Sequence, residues 1–112
     1  MNADAAIQFV DVAATDALAP GQMACLPAGP DTVLLCNVAG RFHAVAQMCS
    51  HEDYPLCLGA LQGETVKCSL HGSRFNLLSG QALDEPADEP IQVYPVRVEH
   101  GRIWVGVSRE TA

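Results

Sequence analysis

Two short clips, each combining one cysteine with one histidine, constrain this chain more than any other feature. The first is Cys49-Ser50-His51 and the second is Cys68-Ser69-Leu70-His71, with sixteen residues between them. Two thiolates and two imidazoles suit either a tetrahedral zinc ion or a [2Fe-2S] cluster with cysteines on one iron and histidines on the other. The fold is therefore expected to bring both clips to one place.

The order of residue types within the clips bears on the choice of metal. Zinc fingers usually place two cysteines in one clip and two histidines in the other. Each clip here mixes the two types, which suits a binuclear cluster, because one iron can take the first residue of each clip and the other iron the second. The pattern favours iron–sulfur and leaves a zinc-stabilised interaction module as the alternative.

The rest of the chain is patterned as short strands separated by turns. No segment sustains a 3.6-residue period over three turns, and residues 15–18 form at most one helical turn. Ala39-Gly40 and His100-Gly101 each predict a tight hairpin turn. The predicted strands are 7–12, 23–26, 32–38, 41–46, 64–67, 74–78, 91–98 and 102–107. This pattern predicts an all-β sandwich or barrel, with both clips in loops where the strands break.

Length and composition limit the class of protein. The 112 residues are enough for a single domain spanning 1–112. No run of 18 apolar residues exists and the first six residues do not resemble a signal sequence, so we expect a cytoplasmic protein without a membrane span. A net charge of −7 repels phosphate backbones and argues against nucleic-acid binding.

Three of the five cysteines lie outside the clips. An odd number of cysteines in a cytoplasmic protein argues against a disulfide framework. Cys25 and Cys36 lie in apolar segments and are interpreted as small core residues. Cys57 lies between the clips without CxxC spacing, so we interpret it as a packing residue outside the ligand set.

The clips and their surroundings resemble the Rieske family over about residues 7–107. The similarity rests on Cys49-x-His51, sixteen residues, then Cys68-x-x-His71-Gly72, and on these further segments: Arg74-Phe75-Asn76, Ser79-Gly80, the Pro86…Pro90…Tyr94-Pro95-Val96 tail, and the hairpin from Val96 to Ile103. The resemblance implies an all-β, Rieske-type β sandwich with a small cluster-binding lobe at about 47–78.

The same resemblance implies the cofactor and its ligands. Cys49 and Cys68 would bind the inner iron of one [2Fe-2S] cluster, and His51 and His71 the outer iron. A proline-containing loop, Glu85-Pro86-Ala87, would cover the cluster from a third side.

The resemblance also implies a role in electron transfer. Soluble Rieske-type ferredoxins pass single electrons from an NAD(P)H-dependent flavoprotein reductase to a terminal aromatic-ring-hydroxylating oxygenase, in aromatic hydrocarbon catabolism. The chain would then be a monomeric carrier and not an enzyme, since it has no nucleophile–base pair and no nucleotide motif. The alternatives are a small Rieske subunit of an assimilatory nitrite reductase, or a carrier for a monooxygenase or an iron–sulfur assembly system.

Two departures from the high-potential branch of that family bear on the reduction potential. Tyr54 and Leu70 occupy the positions of that branch's extra disulfide, so this disulfide cannot form. The chain keeps a serine, Ser73, but has Phe75 in place of a tyrosine, and a missing hydroxyl donor lowers the potential. We expect the low end of the Rieske span of about −150 to +300 mV.

Acidic residues cluster beside the clips. They are solvated surface residues or an acidic face that steers a basic protein partner. The residues are Glu52, Asp53, Asp84, Glu85, Asp88 and Glu89.

Overall fold

A computed structural model describes residues 7–50, 54–70, 72–85 and 87–108. Within these ranges it consists of ten strands and two single 3₁₀ turns, Thr15–Ala17 and Leu56–Leu58. The strands are β1 (Ile7–Ala14), β2 (Met23–Ala28), β3 (Asp31–Val38), β4 (Arg41–Ala46), β5 (Ala60–Gln62), β6 (Thr65–Lys67), β7 (Arg74–Asn76), β8 (Val93–Tyr94), β9 (Val96–Glu99) and β10 (Arg102–Ser108). The predicted all-β fold is confirmed, and no helix among these residues could cross a membrane.

The strands form three sheets, which we call outer (β1-β10-β9), central (β2-β3-β4-β8) and lobe (β5-β6-β7). The central sheet is covered on both faces. On one face, Leu35 and Ala44 pack in a cluster with Ile103 and Val105 of the outer sheet. The other face packs against the lobe through a second cluster. Strand β3 is therefore buried continuously from residue 33 to 37, and its side chains do not alternate between buried and exposed.

Local turn chemistry forms the two hairpins that the sequence predicts. Ala39 and Gly40 have φ values of 53° and 92°, and His100 and Gly101 have φ values of 54° and 74°. Two consecutive positive φ angles are the signature of the type I′ turn, whose twist matches that of the flanking strands. The hairpins β3–β4 and β9–β10 are thereby set in register.

The predicted strand over 91–98 is wrong, because the chain changes sheets at Pro95. Strand β8 pairs with β4 in the central sheet, whereas β9 pairs with β10 in the outer sheet. Proline has no N–H to donate to a ladder, but its carbonyl still accepts a hydrogen bond from Gly106 N at 2.9 Å. The corner joins the two sheets of the sandwich.

The lobe contains one strand that the sequence prediction missed. Strand β5 has only three residues, and it is defined by pairing with β6, with Ala60 opposite Lys67. Gly59, just before it, allows this approach: a Cβ built there would lie 1.8 Å from the Lys67 carbonyl oxygen. The glycine thus packs the chain that follows the first clip against the strand that leads into the second.

Candidate metal centre

The two clips occupy loops of the same construction. The Cys49 N–H donates to the Tyr54 carbonyl at 3.0 Å, and the Cys68 N–H donates to the Ser73 carbonyl at 2.8 Å. In each loop the cysteine and the residue five positions later close a segment of four residues. The backbone therefore holds each cysteine at the base of its loop, in equivalent local positions.

Neighbouring backbone contacts fix both loops to the strands. Below the first loop, Met48 and Pro55 form a β-bridge. The Leu56 N–H also donates to the Gln47 carbonyl at 2.7 Å. The second loop joins β6 to β7, whose register places Lys67 opposite Arg74.

Gly72 completes the second loop directly after His71. Its N–H donates to the Cys68 carbonyl at 2.9 Å, and its φ is +80°. A built Cβ would meet only Lys67 Cε, at the ordinary distance of 3.5 Å. The positive φ, and not lack of space, is therefore what favours glycine at this position.

Cys49 and Cys68 share one apolar environment. Their exposed fractions are 5% and 1%, and both belong to the same core cluster as Leu56, Val66 and Phe75. A thiolate placed among apolar side chains is costly unless a cation compensates it. Two such sulfurs on the apolar wall between the lobe and the central sheet fit the all-cysteine side of a [2Fe-2S] cluster.

The predicted histidine ligands, His51 and His71, lie outside the described residues, as do Glu52, Asp53 and Pro86. The structure therefore shows the two cysteines of the predicted ligand set in one core cluster, and the assignment of all four ligands stays a prediction.

A third segment, 83–91, fastens both loops through its described residues 83–85 and 87–91. The Ser50 hydroxyl donates to the Glu89 carbonyl at 2.6 Å, and the Ala87 N–H donates to the Ser73 hydroxyl oxygen at 3.2 Å. Ala87 is buried, and Ile91 N donates to the Gly80 carbonyl at 2.8 Å. Ser50 could not be identified from the sequence, because nothing near it in the chain indicates a partner 39 residues away.

Ser73, which was predicted to tune the cluster, is fixed from this segment. It is 1% exposed, and its oxygen accepts the Ala87 N–H. A hydroxyl that accepts one hydrogen bond can still donate its own hydrogen to another acceptor. The contact therefore orients the serine without using its donor.

One predicted acidic residue is already paired within the molecule. Arg74 Nε and Nη2 donate to the two carboxylate oxygens of Asp84 at 2.6 and 3.2 Å, and the Arg74 N–H adds a contact of 3.2 Å. The hydrogen bond from Arg74 lowers the pKa of Asp84, and the charge of Lys67 acts in the same direction. Asp84 therefore contributes little net negative charge to this surface.

The remaining described surface near the loops is both acidic and apolar. Glu85, Asp88 and Glu89 are exposed. Met48, which precedes Cys49, is 36% exposed, and Leu70, inside the second loop, is 40% exposed. Both apolar side chains lie within or directly beside the two cysteine loops.

Comparison with known proteins relates the site to a family. The profile of the Rieske [2Fe-2S] domain matches residues 8–95. The ferredoxin component of biphenyl 2,3-dioxygenase from Rhodococcus jostii is 38% identical over 91 residues, covering 81% of this chain and 85% of that protein. The ferredoxin component of the alkene monooxygenase system from Xanthobacter autotrophicus is 38% identical over 103 residues, covering 91% and 84%.

A solved structure shows the same fold in a functional complex. The complex of reduced oxygenase and oxidised ferredoxin in carbazole 1,9a-dioxygenase contains a chain that superposes with a TM-score of 0.82 at 27% identity. The match covers 93% of this chain and 95% of that one.

The family decides between the two metals that the clips left open. The chain belongs to the Rieske [2Fe-2S] domain family, carries one cluster of that type, and is an electron-carrying ferredoxin and not an enzyme.

Proposed function

We propose that Cys49 and Cys68 bind the inner iron of the cluster and that His51 and His71 bind the outer iron. The observation that supports this assignment is the equivalence of the two loops, in which each cysteine N–H closes a segment that contains one histidine. When bound, a Rieske cluster supplies reversible one-electron transfer. The apolar cluster around the cysteines keeps water from the sulfurs, and segment 83–91 holds the loops in place.

The electrons pass from an NAD(P)H-dependent flavoprotein reductase to a terminal aromatic-ring-hydroxylating oxygenase. The biphenyl dioxygenase ferredoxin and the carbazole dioxygenase complex support this path, because they are similar to the chain over more than four-fifths of its length. The chain acts as a cytoplasmic monomer of one domain, 1–112, whose cluster-binding lobe lies at about 47–78.

The surface around the loops suits short-lived docking with both partners in turn. Exposed acids attract a basic patch from a distance, and the exposed Met48 and Leu70 allow close apolar contact. Redox encounters bury small areas, so steering and rapid release matter more than a large interface.

Substitution of the ligands tests the assignment. Cys49→Ser, Cys68→Ser, His51→Ala and His71→Ala should each abolish or grossly destabilise the cluster, whereas Cys57→Ser serves as the matched control and should keep it. Iron and acid-labile sulfide analysis of the purified proteins is the measurement, with two of each expected per wild-type chain. A Cys57→Ser protein without colour would show that the ligand set is wrongly assigned.

Reconstitution tests the electron path separately. Reduced ferredoxin should be formed by an NADH-dependent flavoprotein reductase and reoxidised by a terminal dioxygenase supplied with aromatic substrate, as followed by stopped-flow absorbance. A protein that retains its cluster but exchanges electrons only as a fixed subunit of a nitrite reductase would contradict the proposed path.

A further inference from the structure

Three cysteines that the ligand set does not use lie around the same face of the central sheet. Cys36 of β3 is fully buried in the cluster that also contains Cys49 and Cys68. Cys25 of β2 and Cys57 of the second 3₁₀ turn are partly buried and pack against that cluster. Cys25 of the central sheet and Cys57 of the lobe therefore pack against the same apolar cluster.

Strand register excludes a bond between the two cysteines of the central sheet. Cys25 lies opposite Leu34, and Cys36 lies opposite Met23. The two cysteines are thus diagonal neighbours, with Cβ atoms about 7 Å apart. A disulfide needs Cβ atoms about 3.5–4.5 Å apart.

Cys57 is placed differently, because the 3₁₀ turn carries it onto β2. The turn contacts that strand, and the side chains of Cys25 and Cys57 interact with each other. Cys25 and Cys57 are therefore neighbours against the same apolar cluster.

The two thiols differ in reactivity. Cys57 is half-buried in a short turn at the edge of the lobe. Burial raises the pKa of the Cys25 thiol to about 12, and the neighbouring Cys57 contributes to the shift. Oxidation requires a thiolate that an oxidant can reach, so Cys57 is the residue that reacts first and Cys25 the residue that resolves the product.

We propose that Cys25 and Cys57 form a dithiol that peroxide converts to a disulfide, cross-linking the central sheet to the cluster lobe. Attack of the Cys57 thiolate on hydrogen peroxide breaks the O–O bond and gives a sulfenic acid and hydroxide. Sulfur of Cys25 then attacks that sulfenic acid, forms the S–S bond and releases water. In total, two thiols and one peroxide give one disulfide and two waters.

The cross-link acts next to the first ligand loop. The turn that carries Cys57 begins at Leu56, whose N–H donates to the Gln47 carbonyl at the base of that loop. A disulfide bond from Cys57 to Cys25 of β2 therefore restrains the base of the loop against the central sheet. The protein with the disulfide retains its cluster longer than the protein with two free thiols. The inference concerns residues outside the ligand set and does not depend on which proteins exchange electrons with the chain.

Peptide mapping of the cluster-loaded protein tests the proposal. Anaerobically purified protein is exposed to hydrogen peroxide, remaining thiols are blocked by alkylation, and disulfides are located by mass spectrometry. We expect a Cys25–Cys57 cross-linked peptide and a mass loss of two hydrogens in the wild type. Cys36→Ser is the matched control and should form the same cross-link, whereas Cys57→Ser and Cys25→Ser should not.

A second measurement follows the cluster itself. The decay of its visible absorbance in the presence of an iron chelator should be slower after peroxide treatment in the wild type and in Cys36→Ser, and unchanged in Cys57→Ser. Absence of a Cys25–Cys57 peptide in the wild type, a cross-link to Cys36 instead, or faster decay of the cross-linked protein would each overturn the proposal. Because mapping is read on the wild type, the result does not depend on whether a variant folds.

Discussion

Replacing Gly59 with alanine should force strand β6 away from the chain just before strand β5. The added Cβ would lie 1.8 Å from the Lys67 carbonyl oxygen, 3.0 Å from its carbon and 3.2 Å from the Leu56 carbonyl oxygen. Contacts shorter than 3.0 Å are essentially never formed by a real Cβ, so the strand carrying Lys67 has to retreat by about 1.2 Å. Every close atom belongs to the backbone, and no side chain can rotate away.

The magnitude follows from what that movement breaks. Lys67 pairs with Ala60 and directly precedes Cys68, whose N–H closes the second loop. Loss of one or two backbone hydrogen bonds at about 1 kcal/mol each, together with about 1–3 kcal/mol of overpacking, lowers the free energy of unfolding by about 3 kcal/mol. We also expect loss of the cluster, because the cysteine at the base of the loop moves with the strand.

Gly63→Ala is the matched control in the same hairpin. Gly63 has a φ of +59° and no atom within 4 Å of a built Cβ, so the substitution adds backbone strain without a clash. That strain costs about 1–2 kcal/mol. Chemical denaturation with visible absorbance measured in parallel distinguishes the variants. Equal stability of Gly59→Ala and wild type, with the cluster intact, would refute the steric argument.

Three further predictions concern tuning and docking. Ser73→Ala should lower the reduction potential by about 60–120 mV and leave the Ala87 N–H without its acceptor, as protein-film voltammetry of the intact cluster would show. Phe75→Tyr should raise the potential in the same assay if the new hydroxyl reaches a cysteine sulfur, since Phe75 is fully buried in the cluster that holds both cysteines; a fall would contradict this reasoning. Electron delivery should slow as ionic strength rises, and Asp88→Asn with Glu89→Gln should flatten that dependence in stopped-flow measurements. A rate that is independent of salt in the wild type would mean that docking is mainly apolar.

Features fixed by local chemistry could be predicted from the sequence. The two type I′ hairpins follow from Ala39-Gly40 and His100-Gly101, because few residue pairs tolerate two positive φ angles in succession. The alternation and length of the apolar runs gave the long strands to within a few residues. The cysteine and histidine side chains of the two clips predicted a metal site. The resemblance to the Rieske family predicted the kind of cluster.

Features that depend on distant partners could not be predicted. Strand β5 is visible only through its pairing with β6, and the change of sheet at Pro95 depends on which neighbour each half of the segment meets. The ion pair of Arg74 with Asp84 turned a predicted steering acid into a neutralised one. None of these three features leaves a periodic signal in the sequence, because each depends on residues that are distant along the chain.

The hydrogen bonds of segment 83–91 have a consequence for the order of events during synthesis. The carbonyl that restrains Ser50 belongs to a residue 39 positions later, and the N–H that restrains Ser73 belongs to one 14 positions later. The ribosome therefore makes both cysteine loops before it makes the segment that fastens them. Until that segment packs against the loops, they are open on the side that it later occupies, so iron and sulfide delivery can precede closure. A nascent chain that stops before Glu89 has both cysteines but lacks the final restraint on the first loop.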